Sequence, residues 1–536
     1  MSLLIAVLLS IVLRVAGSGM DASIRGPLQF LGWLLAAVAV AALSLAQRAT
    51  DPESKGAPAH ATMPAVSFGR LLSWVLGLNS VLILLYFVLT SPGVLARWTG
   101  AGYPAIVIVL VLGFVLFAAL AALSSQGLWH LGGPSLWVLN GTFVLALVVT
   151  LLIHQVRFPQ TPEAYPLYVP AVPLIAHIPL FVMLLLSPVV FVNFALYVRA
   201  FATARPSPRA LGAAFTLGSL YWVVMIFAHV FTTVYDYIPV IGPAFRDRFW
   251  LVHLVVGLGI VLPLLTVKRE ALLGQPSGKL PFAWAVSVVV LGALAVVGVF
   301  VTAARPGVPS PQSTLTVLTY NIQQGYREDG QVGTDDQLAL MRDVGADLIG
   351  LQESDACRIA GGNVDLVRYY ADALDMYAYY GPTPVAGTFG IALLSKYPIE
   401  NPRTFYMYSE GEQTATIEAQ IMVGEQRINV FVTHLGNGGP MVQQEAIMHV
   451  ATGKENVILM GDFNFRPDTE QYALTTAVFD DAWLRRWPDD IDDQGVTPPK
   501  RIDHIFVSPP IEVEDSRFIH SPASDHPAVT AILRLE

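Results

Sequence analysis

Apolar positions are arranged in two different ways along this chain. Up to about residue 303 they run in long stretches without alternation, near 27 to 46, 71 to 91, 104 to 124, 136 to 154, 173 to 198, 211 to 233, 250 to 267 and 282 to 303. Each approaches the roughly 20 residues that a helix needs to cross a bilayer, so eight transmembrane helices are predicted. Leu3 to Leu13, ended by Arg14, is a shorter ninth candidate. From Leu315 onward the apolar runs become short and rich in Val, Ile and Leu. They alternate with helical patterns at Asp335 to Val344, Val364 to Leu374 and Met441 to Val450, which predicts sheets packed between helices. Ala304 to Ser313, containing Pro and Ser, reads as a tether. The expected organisation is a multispan membrane domain over 1–303, a linker over 304–313 and a soluble α/β domain over 314–536.

Composition divides at the same place. At 54% hydrophobic and 13% charged, the chain is too apolar for one soluble globule. Residues 1–305 carry 16 basic and 7 acidic side chains, a net of +9; residues 306–536 carry 15 and 33, a net of −18. A domain so acidic has no evident basic face for phosphate-rich duplexes, which disfavours nucleic acid as a partner. The membrane half favours a phospholipid or glycolipid substrate. With nine spans, the loops on one side carry Arg48, Lys55, Arg70, Arg199, Arg205, Arg209, Lys268, Arg269 and Lys279. The other side carries Arg14, Arg25, Arg97, Arg157, Arg246, Arg248 and Arg305. Nine against seven puts the amino terminus in the cytoplasm and the C-terminal domain outside it. Cys357 is the single cysteine, which excludes an internal disulfide. Within the apolar spans lie His177, Asn193, His229 and His253, with Asp236 near a span end; interhelical hydrogen bonding and a role in holding lipid both account for them. Asp489, Asp490, Asp492 and Asp493 read as a solvated loop rather than a Ca²⁺ site.

The chemistry is concentrated where strand-like runs end. Val457 to Met460 closes with Gly461-Asp462-Phe463-Asn464; Asn321 ends Leu315 to Tyr320; Glu353 ends Leu348 to Gln352; His434 follows Val430 to Thr433; Asp503 opens a late strand; and Ser524-Asp525-His526 lies near the end. Taken singly, an Asp-x-Asn is a turn or cap and a lone histidine is a core residue. Taken together, they match what cleaving a phosphodiester demands: a divalent cation, a base for the nucleophile, and donors for the developing charge. Asn321, Glu353 and Asp525 are the expected ligands of Mg²⁺, with Mn²⁺ as an alternative, because hard ions prefer oxygen. Asp462 and Asn464 would hold the nucleophile and a phosphate oxygen. His526, oriented by Asp503, would act as general base or acid, and His434 would donate to the phosphate. Arg358, Lys396 and Asn437 are candidate substrate contacts.

That order of residues resembles the endonuclease/exonuclease/phosphatase superfamily over 315–536, which implies a DNase I-like four-layered α/β sandwich with Glu353 on Mg²⁺ and Asp503 paired with His526. A narrower resemblance rests on Glu353-Ser354-Asp355-x-x-Arg358, Asn363-x-Asp365-Leu366, Tyr380-Gly381-Pro382, Thr388-x-Gly390-Ile391, Leu394-Ser395-x-Tyr397-Pro398-Ile399 and His434-x-Gly436-Asn437. These look like the membrane proteins that remodel the lipid of GPI anchors. The loop Val234 to Pro239 with Arg246-Asp247-Arg248 is similar to that family in the membrane half. The resemblance implies exchange of a GPI diacylglycerol for ceramide, at a lipid phosphodiester outside the cytosol. The expected function is thus a membrane-bound, metal-dependent phosphodiesterase or phosphatidyl-transferase. Competing readings are a membrane-tethered extracytoplasmic nuclease or nucleotide/inositol phosphatase, and a non-catalytic lipid-binding membrane protein. Protease added to intact cells should cut the C-terminal domain, and an uncut domain reverses the orientation.

Overall fold

The computed structural model describes residues 1–24, 29–49, 66–123, 134–164, 166–168, 172–204, 206–233, 238–267, 282–307, 313–382 and 388–535. Val234 to Tyr237, with Asp236, lie outside the described residues. Among the described residues, seven helices are long and apolar enough to cross a membrane: Phe68–Leu89, Tyr103–Leu123, Pro134–His154, Leu174–Ala204, Pro208–Phe231, Phe249–Thr266 and Phe282–Thr302. This is a multi-pass membrane protein. The early stretch near 27 to 46 falls in the helix Gln29–Ala49, and the short candidate forms the helix Ser2–Ala16, which packs against the last long span. Many large apolar side chains of these helices stay exposed, including Leu116, Leu120, Val138 and Phe300, as bilayer-facing surface would be.

In the soluble half, the strands are β1 (Leu167–Tyr168), β2 (Thr314–Asn321), β3 (Leu348–Gln352), β4 (Tyr377–Tyr380), β5 (Ile391–Ser395), β6 (Glu400–Met407), β7 (Thr414–Val423), β8 (Gln426–His434), β9 (Val457–Asp462), β10 (Asp480–Asp481), β11 (Asp503–Val507), β12 (Glu512–Ile519) and β13 (Ala528–Arg534). They form two sheets, ordered β1-β6-β7-β8-β9-β11-β10 and β12-β13-β2-β3-β5-β4. Side chains alternate between faces along a strand, and the core follows that alternation. Leu315 and Val317 of β2, Val430 and Val432 of β8, Ile458 and Met460 of β9 and Ile505 and Val507 of β11 share one cluster between the sheets. The opposite faces are covered separately. Leu318, Tyr320, Ile349 and Leu351 pack with Leu338, Met341, Val367 and Tyr370 of the helices Thr334–Val344 and Leu366–Leu374. Phe431, Leu459 and Phe506 pack with Ile447 and Met448 of the helix Met441–Ala451. Helix, sheet, sheet, helix is the expected four-layered sandwich.

The two halves interlock through one face of the membrane region. Arg14 donates to the Asn363 carbonyl at 3.0 Å, and the Asn363 amide donates to the Tyr86 carbonyl at 2.9 Å. Arg97 donates to the Pro382 carbonyl at 2.9 Å and lies 3.6 Å from Asp355. At the end of the last span, the Ala304 and Arg305 amides donate to Asp372 and Asp375. β1, from the segment between two membrane helices, pairs antiparallel with β6, and Phe158 of the same segment sits edge-on to Tyr406 in the inter-sheet core. The soluble domain therefore takes an edge strand and a core aromatic from the membrane half, which the linear domain limits did not anticipate. Cys357 and Ile359, a few residues beyond Glu353, pack in turn into the core of the membrane helices.

Within β9, Gly461 is fixed by close approach, because a Cβ there would stand 2.1 Å from the Thr433 carbonyl oxygen of β8. Gly461→Ala should cost about 2 kcal/mol or more, as forced overpacking does, and lower the thermal midpoint of the purified protein.

Candidate active site

The same alternation that builds the inter-sheet core delivers the polar cluster. Asn321, His434, Asp462 and Asp503 keep the parity of the inward-facing positions of β2, β8, β9 and β11, so they emerge at the end of the buried layer. Register brings them together: His434 lies opposite Asp462 across the parallel pair β8–β9, and Asp462 lies opposite Asp503 across the antiparallel pair β9–β11. Asn321 lies opposite Gln352 across β2–β3, which puts Glu353 beside it. Glu353 has φ of +48°, so the chain turns sharply out of β3 as it presents this carboxylate.

Asp462 is the hub. It is 1% exposed and accepts from Asn321 Nδ2 at 3.1 Å, and the Asn464 backbone amide donates to its other oxygen at 3.0 Å. Two imidazoles flank it, His434 Nε2 at 3.6 Å and His526 Nε2 at 3.7 Å. His526 Nδ1 pairs with Asp503 Oδ2 at 2.9 Å. Burial alone would strip the proton from His526, but the hydrogen bond to Asp503 and the charges of Asp503, Asp462 and Asp525 outweigh it and raise its pKa. Burial and the neighbouring Asp462 raise that of Asp503. His434 follows the same pattern: burial opposes its charge, while Glu412, Asp462 and Glu353 raise it. Both imidazoles are thus held toward the protonated, donating form.

The donors fit a hard divalent cation. Asp462 and Asp503 offer carboxylate oxygens that lie within 4.8 Å of each other and of a His526 ring nitrogen. Asp503 Oδ1 is buried without a hydrogen-bond partner, and Glu353 adds a carboxylate on the other side of Asn321. Carboxylate oxygens with net negative charge suit Mg²⁺ or Mn²⁺. The arrangement differs from the expected ligand set in two respects. Asn321 turns its nitrogen toward Glu353 and Asp462 while its oxygen accepts from the Gln323 amide, so it bridges the carboxylates. Asp525 sits exposed in the turn before β13, at the rim, where Ser524 donates to it at 3.4 Å.

The remaining sequence candidates divide. Asn464, with φ of +54°, spends its side-chain amide on the Leu435 carbonyl at 2.8 Å and so ties the loop after β8 to the loop after β9. Asn437 is exposed in that loop. Arg358 is buried between the halves and paired with Asp355 at 3.2 Å. Lys396 lies at the far end of β5, since Ile391 and not Ser395 faces Gln352. There it binds Asp347 at 3.0 Å and the Gly345 carbonyl at 2.8 Å, and the structure does not bring it to the cleft. Asp490 and Asp493 are held by Arg501 and Arg517, and Asp492 accepts from its own loop, a loop closed by its own contacts. One acidic neighbour belongs to none of the sequence motifs. Glu412, on the loop between β6 and β7, lies 4.0 Å from His434 Nδ1, and burial pushes its pKa up to about 7, with the nearby Glu353 and Asp462 adding to the effect. It follows no strand-end motif, so only the loop's return across the cleft reveals it.

Parts of the chain are similar to known proteins. Residues 312–493 match the family model described as the PGAP2IP C-terminal nuclease-like domain; the match ends before Asp503 and His526. Protein cwh43 of Schizosaccharomyces pombe is 43% identical over 97 residues, which is 18% of this chain and 10% of that protein. The chain thus matches about a tenth of that relative's length. Among solved structures, an endonuclease/exonuclease/phosphatase from Beutenbergia cavernae aligns with TM-score 0.35 and 20% identity over 42% of this chain and 72% of its own. The mannosyl-6-phosphatase Bt3783 of Bacteroides thetaiotaomicron aligns with TM-score 0.32 and 18% identity over 41% of this chain and all of its own. Residues 312–493 are thus similar to a nuclease-like domain, and in this chain they follow a multispan membrane region.

Titration calorimetry with Mn²⁺ should detect a site in the wild type that is abolished in an Asp462→Asn, Asp503→Asn double variant. Glu353→Gln should weaken it about tenfold or more, the scale typical of losing a supporting carboxylate.

Proposed function

We propose that this protein is a membrane-bound, divalent-metal-dependent phosphodiesterase or phosphatidyl-transferase acting on a lipid phosphodiester, of the inositol-phospholipid or GPI kind. The observation that carries the reading is the route of the chain after Glu353. Ser354, Asp355, Ala356, Cys357 and Arg358 are all buried, and Cys357 lies in the core of the membrane helices. A carboxylate of the cleft is thereby held at the junction with the membrane half, where a lipid headgroup is the substrate within reach. The net charge of −18 in the soluble half, which repels a polyanionic duplex, supports the same choice over DNA.

The chemistry follows from the groups described. Asp462, fixed by Asn321 and the Asn464 amide, accepts a hydrogen bond from the attacking hydroxyl, orients it toward phosphorus and takes its proton as the new bond forms. A bound Mg²⁺ supplies charge neutralisation at the phosphate. His434 and His526, held protonated, donate to the phosphate oxygens as charge develops. His526 then passes its proton to the departing oxygen, and Asp503 holds the imidazole in the required orientation. Glu412 and Glu353 act on His434, and Asp503, Asp462 and Asp525 on His526, to favour the charged imidazoles. Whether the acceptor is water or a lipid alcohol decides between hydrolysis and transfer, and both use these groups in the same roles.

Purified full-length protein in mixed phospholipid vesicles with Mg²⁺ should release or exchange a lipid headgroup, read by analysis of phosphorus-containing products. Asp462→Ala with His526→Ala should abolish it, and His526→Ala alone should slow it by about 10²–10⁴, the usual worth of a positioned acid. Plasmid cleavage with inert lipids would instead establish the nuclease.

A further inference from the structure

Beneath the cleft lies a second group of polar atoms that the chemistry above does not use. Arg358, 1% exposed, directs one nitrogen to the Thr388 carbonyl and to Asp355, while its Nε and Nη1 have no partner among the described residues. His229, on the helix Pro208–Phe231, is 1% exposed with neither ring nitrogen partnered. His253, on the helix Phe249–Val261, makes only a long 3.4 Å contact to the Phe249 carbonyl, and its Nε2 is unpartnered; the Trp98 ring, whose Nε1 is also unpartnered, lies 4.8 Å from it. The His229 and His253 rings are 6.2 Å apart. The helix Pro208–Phe231 touches residues 359–361, and Arg358 is close enough for its charge to act on both His229 and Glu412. The group therefore lies between the membrane helices and the cleft.

Leaving such donors unsatisfied away from water is expensive, and a guanidinium with two idle nitrogens is the costliest case. Among the described residues, Asp355 is the only carboxylate within ion-pair distance of Arg358, and Arg97 shares it. Donors that outnumber acceptors around a buried cation call for an anionic oxygen ligand. The apolar rings of Phe87 and Phe249, at 5.0 and 5.2 Å from His229, would flank its non-polar part.

We propose that Arg358, His229 and His253 form an anion-binding subsite inside the membrane half that takes a phosphate group of the lipid and so presents its headgroup to the cleft above. This deepens the lipid reading and rests on it for the presentation step, but not for the binding. These three are positioning residues, because none touches the Asp462 cluster.

The test is equilibrium binding and thermal shift on the full-length protein in detergent micelles, with phosphatidylinositol, neutral phosphatidylcholine and inorganic phosphate as probes. Phosphatidylinositol should raise the thermal midpoint of the wild type and of Asp462→Ala alike, and phosphatidylcholine should not. Arg358→Met and His229→Phe should each weaken phosphatidylinositol binding at least tenfold. Because the imidazole of His229 has no internal partner, His229→Phe should keep or raise the midpoint without ligand, which a merely structural histidine would not allow. Inorganic phosphate binding with the same variant dependence supports the site and identifies free phosphate as its occupant. Equal affinities of wild type and both variants for every probe overturn the proposal. Turnover lost in Asp462→Ala but unchanged in His229→Phe would also overturn it while leaving the enzyme reading intact. Anion binding without any turnover would sink the enzyme reading alone.

Discussion

Side-chain alternation along a β-strand is the constraint on which this site depends. The alternate positions that fill the inter-sheet layer with apolar side chains continue, at one end of each strand, into Asn321, His434, Asp462 and Asp503. The polar cluster is therefore the solvent-side terminus of the hydrophobic core, and its geometry is set by the packing beneath it. A slip of one residue in β9 would turn Asp462 to the outer face and Phe463 inward. Gly461 helps hold that register, since the Thr433 carbonyl leaves no room for a side chain.

A consequence of packing carboxylates and imidazoles at the mouth of an apolar layer is that each group's charge is decided by its neighbours. Burial opposes charge on Asp503, His526, Glu412 and His434, and their pairings answer it: Asp503 with His526, Glu412 with His434, and Asp462 between the two imidazoles. The junction with the membrane half obeys a similar rule. Arg14, Arg97 and Arg358 are nearly inaccessible; carbonyl oxygens and Asp21 satisfy part of their hydrogen-bonding capacity, and Asp355 lies at ion-pair distance from Arg97 and Arg358.

Much of this was legible in the sequence, for an identifiable reason. A strand that ends in a polar residue after a run of Val, Ile and Leu announces both its direction and its function, so the cluster residues and the sandwich could be read from local pattern. Long apolar stretches announce spans in the same way. What could not be read depends on contacts between distant segments. Lys396 had the right charge, but the antiparallel pairing of β5 carries it to the wrong end of the sheet. Glu412 enters the site from a loop with no periodicity. Asn321 has the predicted position and the opposite polarity, because the Gln323 amide claims its oxygen. The unpartnered nitrogens of His229 and Arg358 are visible only once helices far apart in the chain have been brought against the residues after Glu353.

The pairing of β1 with β6 also bears on how the molecule is made. Leu167 meets Tyr406 and Tyr168 meets Phe405, so an edge strand that emerges early in synthesis has no partner until about 240 further residues have been added. Such distant closures are slow, and a bare edge is open to wrong pairing in the meantime. Because the segment is anchored at both ends by membrane helices, it waits in a fixed place at the membrane surface rather than diffusing. The soluble domain, translated last, then completes its sheet on a template already installed there, and its docking to the membrane and the completion of its fold become one event.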